Sequence, residues 1–334
     1  MKTSLQRNQT LECCRILAAV FVVFLHVPFP GMLGKTVNCL ARFAVPLFFA
    51  ISGYFSYGAG PEKLLRRFGR ILLLELTGIG LTVLWQCALA VSWGGSVWMC
   101  LRDLIPTGDV LAGWLLWNAD PFAGHLWYLS AMAACYGVLW LYTLAFRGKK
   151  TEYRTLYAIS GILLAAHFAM ANFSRFTGIS VVYVIYRNAW FFGIPMFSMG
   201  IFLRQYRERL LEWKLSAVLA SGLGLALLER VLLGPWDLPV GMVAAVAALL
   251  LLTEKYPEVP DRRSWLRRAV PWFGPLSTIV YIIHLMISEV YQRWIAVVLG
   301  PAESWLRPIF VAAMSLAAGA VWLALRDMVR KLRK

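Results

Sequence analysis

Apolar residues do not alternate with polar ones along this chain; they come in runs about as long as a bilayer is thick, separated by short polar turns. A helix rises about 1.5 Å per residue, so roughly 20 apolar residues cross the hydrocarbon core of a membrane. The runs fall near 11–28, 37–58, 71–92, 124–146, 155–171, 186–203, 215–234, 238–254, 270–290 and 306–326. They predict an all-α fold, a polytopic membrane helix bundle of about ten transmembrane helices. Several runs are short, and Gly234-Pro235-Trp236-Asp237 divides two of them least sharply.

The polar positions give the bundle a direction. Basic residues gather in alternate connections: Lys63, Arg66, Arg67 and Arg70; Arg147, Lys149, Lys150 and Arg154; Arg204, Arg207, Arg209 and Lys214; Arg262, Arg263, Arg267 and Arg268. A last cluster is Arg326, Arg330, Lys331, Arg333 and Lys334. With ten spans every cluster lands on one face, whereas an odd number would split them. The positive-inside rule makes that face cytoplasmic and predicts both termini there. The longest external segment, 93–124, carries Trp98, Trp114 and Trp117 and is expected to lie along the interface.

Composition supports a membrane setting. Of 334 residues 60% are hydrophobic and 15% charged, with a mean hydropathy of +0.65, whereas soluble domains carry roughly 45–50% apolar and about 25% charged residues. The 15 Trp and 13 Tyr suit two headgroup interfaces. A formal net charge of +16 is dispersed in the clusters above, so anionic lipid accounts for it and no nucleic-acid partner is expected. Six cysteines, Cys13, Cys14, Cys39, Cys87, Cys100 and Cys135, show no CxxC or Cys/His ligand spacing. Free thiols and no metal are expected. No small-x-small cleavage site follows Pro28, which predicts an uncleaved first helix. The expected organisation is one membrane domain over 1–334 without a soluble domain, in a multi-pass protein of a bacterial cytoplasmic membrane; oligomeric state is left open.

Ionisable groups inside the runs need a partner or a purpose, because arginine at a helix centre costs about 2.5–3.5 kcal/mol on insertion scales. The first run carries Glu12, Arg15 and His26. His26 lies roughly 16 Å deeper than Arg15 and about 20° away around the helix, so a cation and an imidazole share a stripe. Glu12, one turn before Arg15, is placed to orient it. Taken alone, His26 reads most simply as a histidine hydrogen-bonded in the bundle core; the alternative is a general base.

The second run holds Arg42, Pro46, Ser52 and Gly53, where a kink or close helix packing is the plain reading. Arg67 and Arg70, one turn apart, can face a common phosphate, while Arg66 reads as a topogenic, lipid-facing charge. His125-Leu126-Trp127-Tyr128 opens the fourth run from outside, and Arg187 and Asn188 open the sixth. Glu75 lies in the third run and Glu229 deep in the seventh; His167, alone in the fifth, reads as a packing residue. Ser277, Tyr281 and His284 stand at i, i+4 and i+7 on one helical face.

These signatures together resemble the acyltransferase-3 family of membrane acyltransferases. Arg15-x10-His26 looks like the family's first-helix motif, and Arg42-x-Ala44-Val45-Pro46-x-Phe48-Phe49-x-Ile51-Ser52-Gly53-Tyr54 is similar to its second-helix signature. Arg67-x-x-Arg70, His125-Leu126-Trp127-Tyr128 and Ser277-x3-Tyr281-x2-His284 follow in the family's order. Arg187-Asn188-x2-Phe191-Phe192-x2-Pro195-x-Phe197-x2-Gly200, with Glu229, looks like the membrane domain of the membrane-bound serine racemases of vancomycin resistance.

The resemblance implies transfer of an acyl group, usually acetyl from acetyl-CoA or another acyl-CoA, to an envelope glycan or other small hydroxyl acceptor, with no metal. It places His26 as the base and Arg15, Arg67 and Arg70 on the donor phosphates, with Arg42, Ser52, His125, Trp127, Tyr128, Arg187, Asn188, Glu229, Ser277, Tyr281 and His284 lining the cavity. The racemase-like branch implies instead transport of serine or another small amino acid, with Arg187 or Arg42 on its carboxylate and Glu229 on its ammonium. The residues alone suit both readings, and an inactive scaffold is a third.

Overall fold

The computed structural model describes residues 8–146, 152–179, 181–259, 264–299 and 304–332. Arg147, Lys149, Lys150, Arg262, Arg263, Arg333 and Lys334 of the basic clusters lie outside the described residues, as do both chain ends. All regular structure among the described residues is helical, and eight helices there are long and apolar enough to cross a membrane. They are Gln9–His26, Gly31–Tyr54, Pro61–Ser92, Gly124–Ala145, Arg154–Phe173, Leu215–Leu233, Arg268–Val298 and Leu306–Leu332. The protein is thus an all-α, multi-span membrane protein.

Of the ten expected runs, 186–203 and 238–254 form shorter helices. In the first, Asn188 turns its side chain onto the backbone and restarts the helix; in the second, Pro239 delays the start to Val240, leaving 16 residues.

The chain packs as two compact units, one of residues 1–48 with 207–334, the other of residues 49–206. Local signals set the first helix ends. Asn8 caps α1 (Gln9–His26), its side chain accepting from the Leu11 amide at 2.8 Å. Pro28 and Pro30 bar continuation beyond His26. α2 (Gly31–Ala41) and α3 (Ala44–Tyr54) make one apolar passage broken at Arg42 and Phe43.

The unit of residues 49–206 continues with α4 (Pro61–Ser92), α5 (Val97–Asp103), α6 (Gly108–Trp117) and, after the 3-10 turn Gly124–Leu126, α7 (Trp127–Ala145). Then come α8 (Arg154–Thr177), α9 (Tyr183–Tyr186), the π turn Ala189–Gly193 and α10 (Ile194–Gln205). α4 packs along α7, and α8 along α10. The last part of α3 meets α10 at two glycines: a Cβ on Gly53 would collide with the Phe197 carbonyl, and one on Gly200 with the Ala50 carbonyl. The glycines of two motifs thus serve close backbone approach.

The other unit resumes with α11 (Arg207–Leu210), α12 (Leu215–Leu233) and α13 (Val240–Lys255). It ends with α14 (Ser264–Val290), the π turn Tyr291–Ile295, α15 (Ala296–Leu299) and α16 (Leu306–Leu332). α12 and α13 touch through Gly222 and Gly241, where a Cβ on Gly222 would come within 2.7 Å of the Gly241 carbonyl oxygen. α14 lies against both α1 and α16. Ala19, Val23 and Val27 of the first helix passage, Leu276, Val280 and Tyr291, and Val311, Ala312 and Leu323 form their common core. That core brings the opening helix of the chain beside two of its last.

Candidate active site

α1 is fastened where it begins. Asn8 donates to the Thr253 carbonyl at 2.8 Å and the Gln9 amide to the Pro257 carbonyl at 2.8 Å, tying the helix start to the end of α13. Glu12, 4% exposed, lies in the first turn, where the helix dipole favours a negative charge. It accepts from Arg15 Nη1 at 3.0 Å, fixing a guanidinium that stays partly open.

His26 is the last residue of α1, and its side chain is exposed. Its ring stands against that of His284 on α14, centroids 5.2 Å apart and planes inclined by 45°. His284 is fully buried. Its Nδ1 lies 2.8 Å from the Tyr281 carbonyl and 3.2 Å from that of Val280. Carbonyls only accept, so the proton sits on Nδ1 and Nε2 carries the lone pair. The Tyr281 ring is 6.3 Å from His284. One imidazole is therefore exposed, and a second, buried and held in one tautomer, lies beside it.

Ser277, on the same face of α14, donates its hydroxyl to the Gly274 carbonyl at 2.7 Å. That proton is committed to the helix backbone. Arg42, at the end of α2, is likewise engaged: Nη1 donates to Asp237 Oδ1 at 2.7 Å and Nη2 to Asn38 Oδ1 at 3.4 Å. Asp237 is nearly buried, 6% exposed, and the pair binds the 234–239 turn to the end of α2. Glu229 accepts a long bond from the Gly241 amide at 3.4 Å, at the start of α13.

The remaining candidates lie in the other unit. Arg67 donates to the Phe55 carbonyl at 2.9 Å and to Ser56 Oγ at 2.7 Å, while Arg70 is exposed. Ser52 gives its carbonyl to Ser56 Oγ at 2.7 Å. Trp127 and Tyr128 pack on Phe49, with ring centroids 6.5 Å and 4.9 Å away, beside the buried His125. Arg187 lies over the Tyr183 ring at 5.1 Å. Asn188 is fully buried and spends its amide on the chain: Oδ1 accepts from Trp190 and Phe191 amides, and Nδ2 donates to Val184 and Ile185 carbonyls. It shapes the π turn. His167 is buried among Phe168, Tyr186 and Phe192, its Nδ1 2.9 Å from the Tyr186 carbonyl.

Three acidic residues matter more than the sequence indicated. Asp237 is Arg42's counter-charge, 195 positions away. Glu75 accepts from Ser130 Oγ and, at 3.3 Å, from Trp114 Nε1, which fastens α6 to α4 and α7. Asp120 turns the chain into the 3-10 segment by accepting from the Phe122 and Ala123 amides at 2.8 and 2.9 Å, and burial raises its carboxyl pKa against those two bonds. A short acidic side chain among Asn, Pro and Gly is a turn signal that sequence patterning can supply; the partners of Asp237 and Glu75 are set only by folding. Among the described residues no group of three or more His, Cys, Asp or Glu is placed to hold a metal.

A family model for an acyltransferase domain, acyltransferase-3, matches residues 8–326. The chain belongs to the acyltransferase-3 family. Acyl transfer is that family's chemistry, and the match runs through both packing units, from the cap of α1 into the last turns of α16. No curated protein and no solved structure gives a match.

Proposed function

We propose that this acyltransferase-3 protein is an integral membrane O-acyltransferase that moves an acyl group, acetyl in the simplest case, from a cytoplasmic acyl-CoA to a hydroxyl of an envelope carbohydrate or other small acceptor. The observation that supports it is the pair of imidazoles, one exposed and one buried in a fixed tautomer. His26 takes the proton of the acceptor hydroxyl; the oxygen attacks the thioester carbonyl, the carbon–sulfur bond breaks, and the departing thiolate recovers a proton. His284 positions the His26 ring. Arg15, oriented by Glu12, with Arg67 and Arg70 assigned by the family motif, serves the donor's phosphates.

Ten spans and cytoplasmic termini are the topology that fits this reading, because the basic clusters then face the coenzyme. Amino-acid transport is the competing proposal, and Arg42 argues against its simplest form, since Asp237 already occupies the guanidinium meant for a substrate carboxylate. Proteoliposomes of the full chain supplied with labelled acetyl-CoA and envelope glycan, and separately with labelled serine, distinguish them. Label transferred to glycan without serine accumulation supports the transferase; serine accumulation without transfer overturns it.

A further inference from the structure

We propose that the basic end of α4 and the adjoining end of α7 form a binding site for the headgroup of an anionic phospholipid, a site independent of the acyl-transfer reading. A cavity of about 450 Å³ opens there. Glu62, Lys63 and Arg66 line it on the polar side, and Leu65, Trp140 and Leu144 on the apolar side. Lys63 and Arg66 are one turn apart, so both cations reach the same hollow. Arg67 follows about 100° further round the helix, and it turns inward to the Phe55 carbonyl and Ser56. The α4 cluster is therefore divided: Arg67 turns its Nη1 onto the fold, and its neighbour Arg66 opens into a cavity.

The rest of the lining selects the occupant. Leu65 of the lining is 46% exposed, and Leu141, outside the lining but on the same turn of α7, is 59% exposed and extends the apolar surface. In a chain that crosses a bilayer such a wall meets acyl chains, and a tryptophan beside it suits the headgroup level. Two cations against one carboxylate leave the mouth positive, which attracts a phosphodiester. Glu62 can accept from a headgroup hydroxyl, as in phosphatidylglycerol. A free phosphate ester would satisfy the cations and leave the apolar wall unfilled. Arg66, which patterning alone gives only a topogenic role, gains a ligand here.

The test uses the full chain in nanodiscs containing phosphatidylglycerol with a photoreactive acyl tail, or the matching phosphatidylcholine probe, with adducts mapped by peptide mass spectrometry. Adducts from the phosphatidylglycerol probe are expected on segments 61–66 and 140–144. They should fall about tenfold in the Lys63→Gln, Arg66→Gln double variant while adducts elsewhere stay constant, and the Lys63→Arg, Arg66→Lys variant should retain them. Equal labelling by phosphatidylcholine, or no loss in the double variant, overturns the proposal. Competition by coenzyme A or inorganic phosphate also overturns it, by making the cavity a site for soluble phosphate esters.

Discussion

At the scale of single residues, the chemistry turns on which polar atoms the fold has already used. His284 spends Nδ1 on the Tyr281 carbonyl, which fixes where its lone pair lies. His284→Asn keeps an amide N–H near the position of Nδ1, whereas His284→Gln puts polar atoms nearer Nε2. If His284 positions His26 through the lone pair on Nε2, the Gln variant should retain several times more transferase activity than the Asn variant, compared as kcat at saturating donor. Asp120 offers a test at pH. Its carboxyl pKa is raised in the folded protein by burial, so the folded state holds its proton to higher pH than the unfolded chain. The stability tied to that proton is complete below the unfolded value and is lost as pH rises through the folded one. Asp120→Asn keeps an oxygen for the Phe122 and Ala123 amides, and its melting temperature should therefore depend less on pH across the acidic range than the parent's. A steeper dependence would contradict the assignment.

Two pairs of elements, α3 with α10 and α12 with α13, approach closely where side chains are missing. At Gly200 an added Cβ would meet the Tyr54 amide nitrogen at 2.7 Å and the Ala50 carbonyl carbon at 2.8 Å, both backbone atoms that cannot swing aside. Gly200→Ala should therefore destabilise the 49–206 unit by about 1–3 kcal/mol, the usual cost of overpacking, read as a fall in the thermal midpoint in detergent. A second element-scale expectation concerns α5. Cys87 on α4 and Cys100 on α5 have their sulfurs 3.8 Å apart, so a mild thiol oxidant should join them. Cys100→Ser should abolish the product, and failure to form it in the parent would mean that α5 does not dock on α4. The spans were legible in the sequence because hydropathy over about 20 residues is a local quantity. The shared face of Ser277, Tyr281 and His284 was legible from helical period alone. What Ser277 does with its hydroxyl was not, since back-bonding to Gly274 depends on a rotamer that spacing does not specify. The 186–203 run looked continuous because all but a few of its residues are apolar, and Asn188, buried and hydrogen-bonded back to α9 carbonyls and forward to amides within the π turn, is what interrupts it.

On the scale of the whole molecule, the acyltransferase-3 fold gathers its candidate chemistry from distant parts of the chain. α1 from the beginning and α14 from near the end meet across a core of Ala19, Val23 and Val280, and this contact sets the two imidazoles side by side. Motif reading supplied each histidine separately, whereas their pairing, like that of Arg42 with Asp237, follows from packing that no sequence period encodes. The central claim is that His26 is the base of an acyl transfer. Its most direct test is label transfer from labelled acetyl-CoA to envelope glycan in membrane vesicles carrying either the parent or His26→Gln. The account predicts a loss of about 10²–10⁴-fold, the usual contribution of a general base, with unchanged protein level and melting temperature. Transfer at the parent's rate by a well-folded His26→Gln would contradict it.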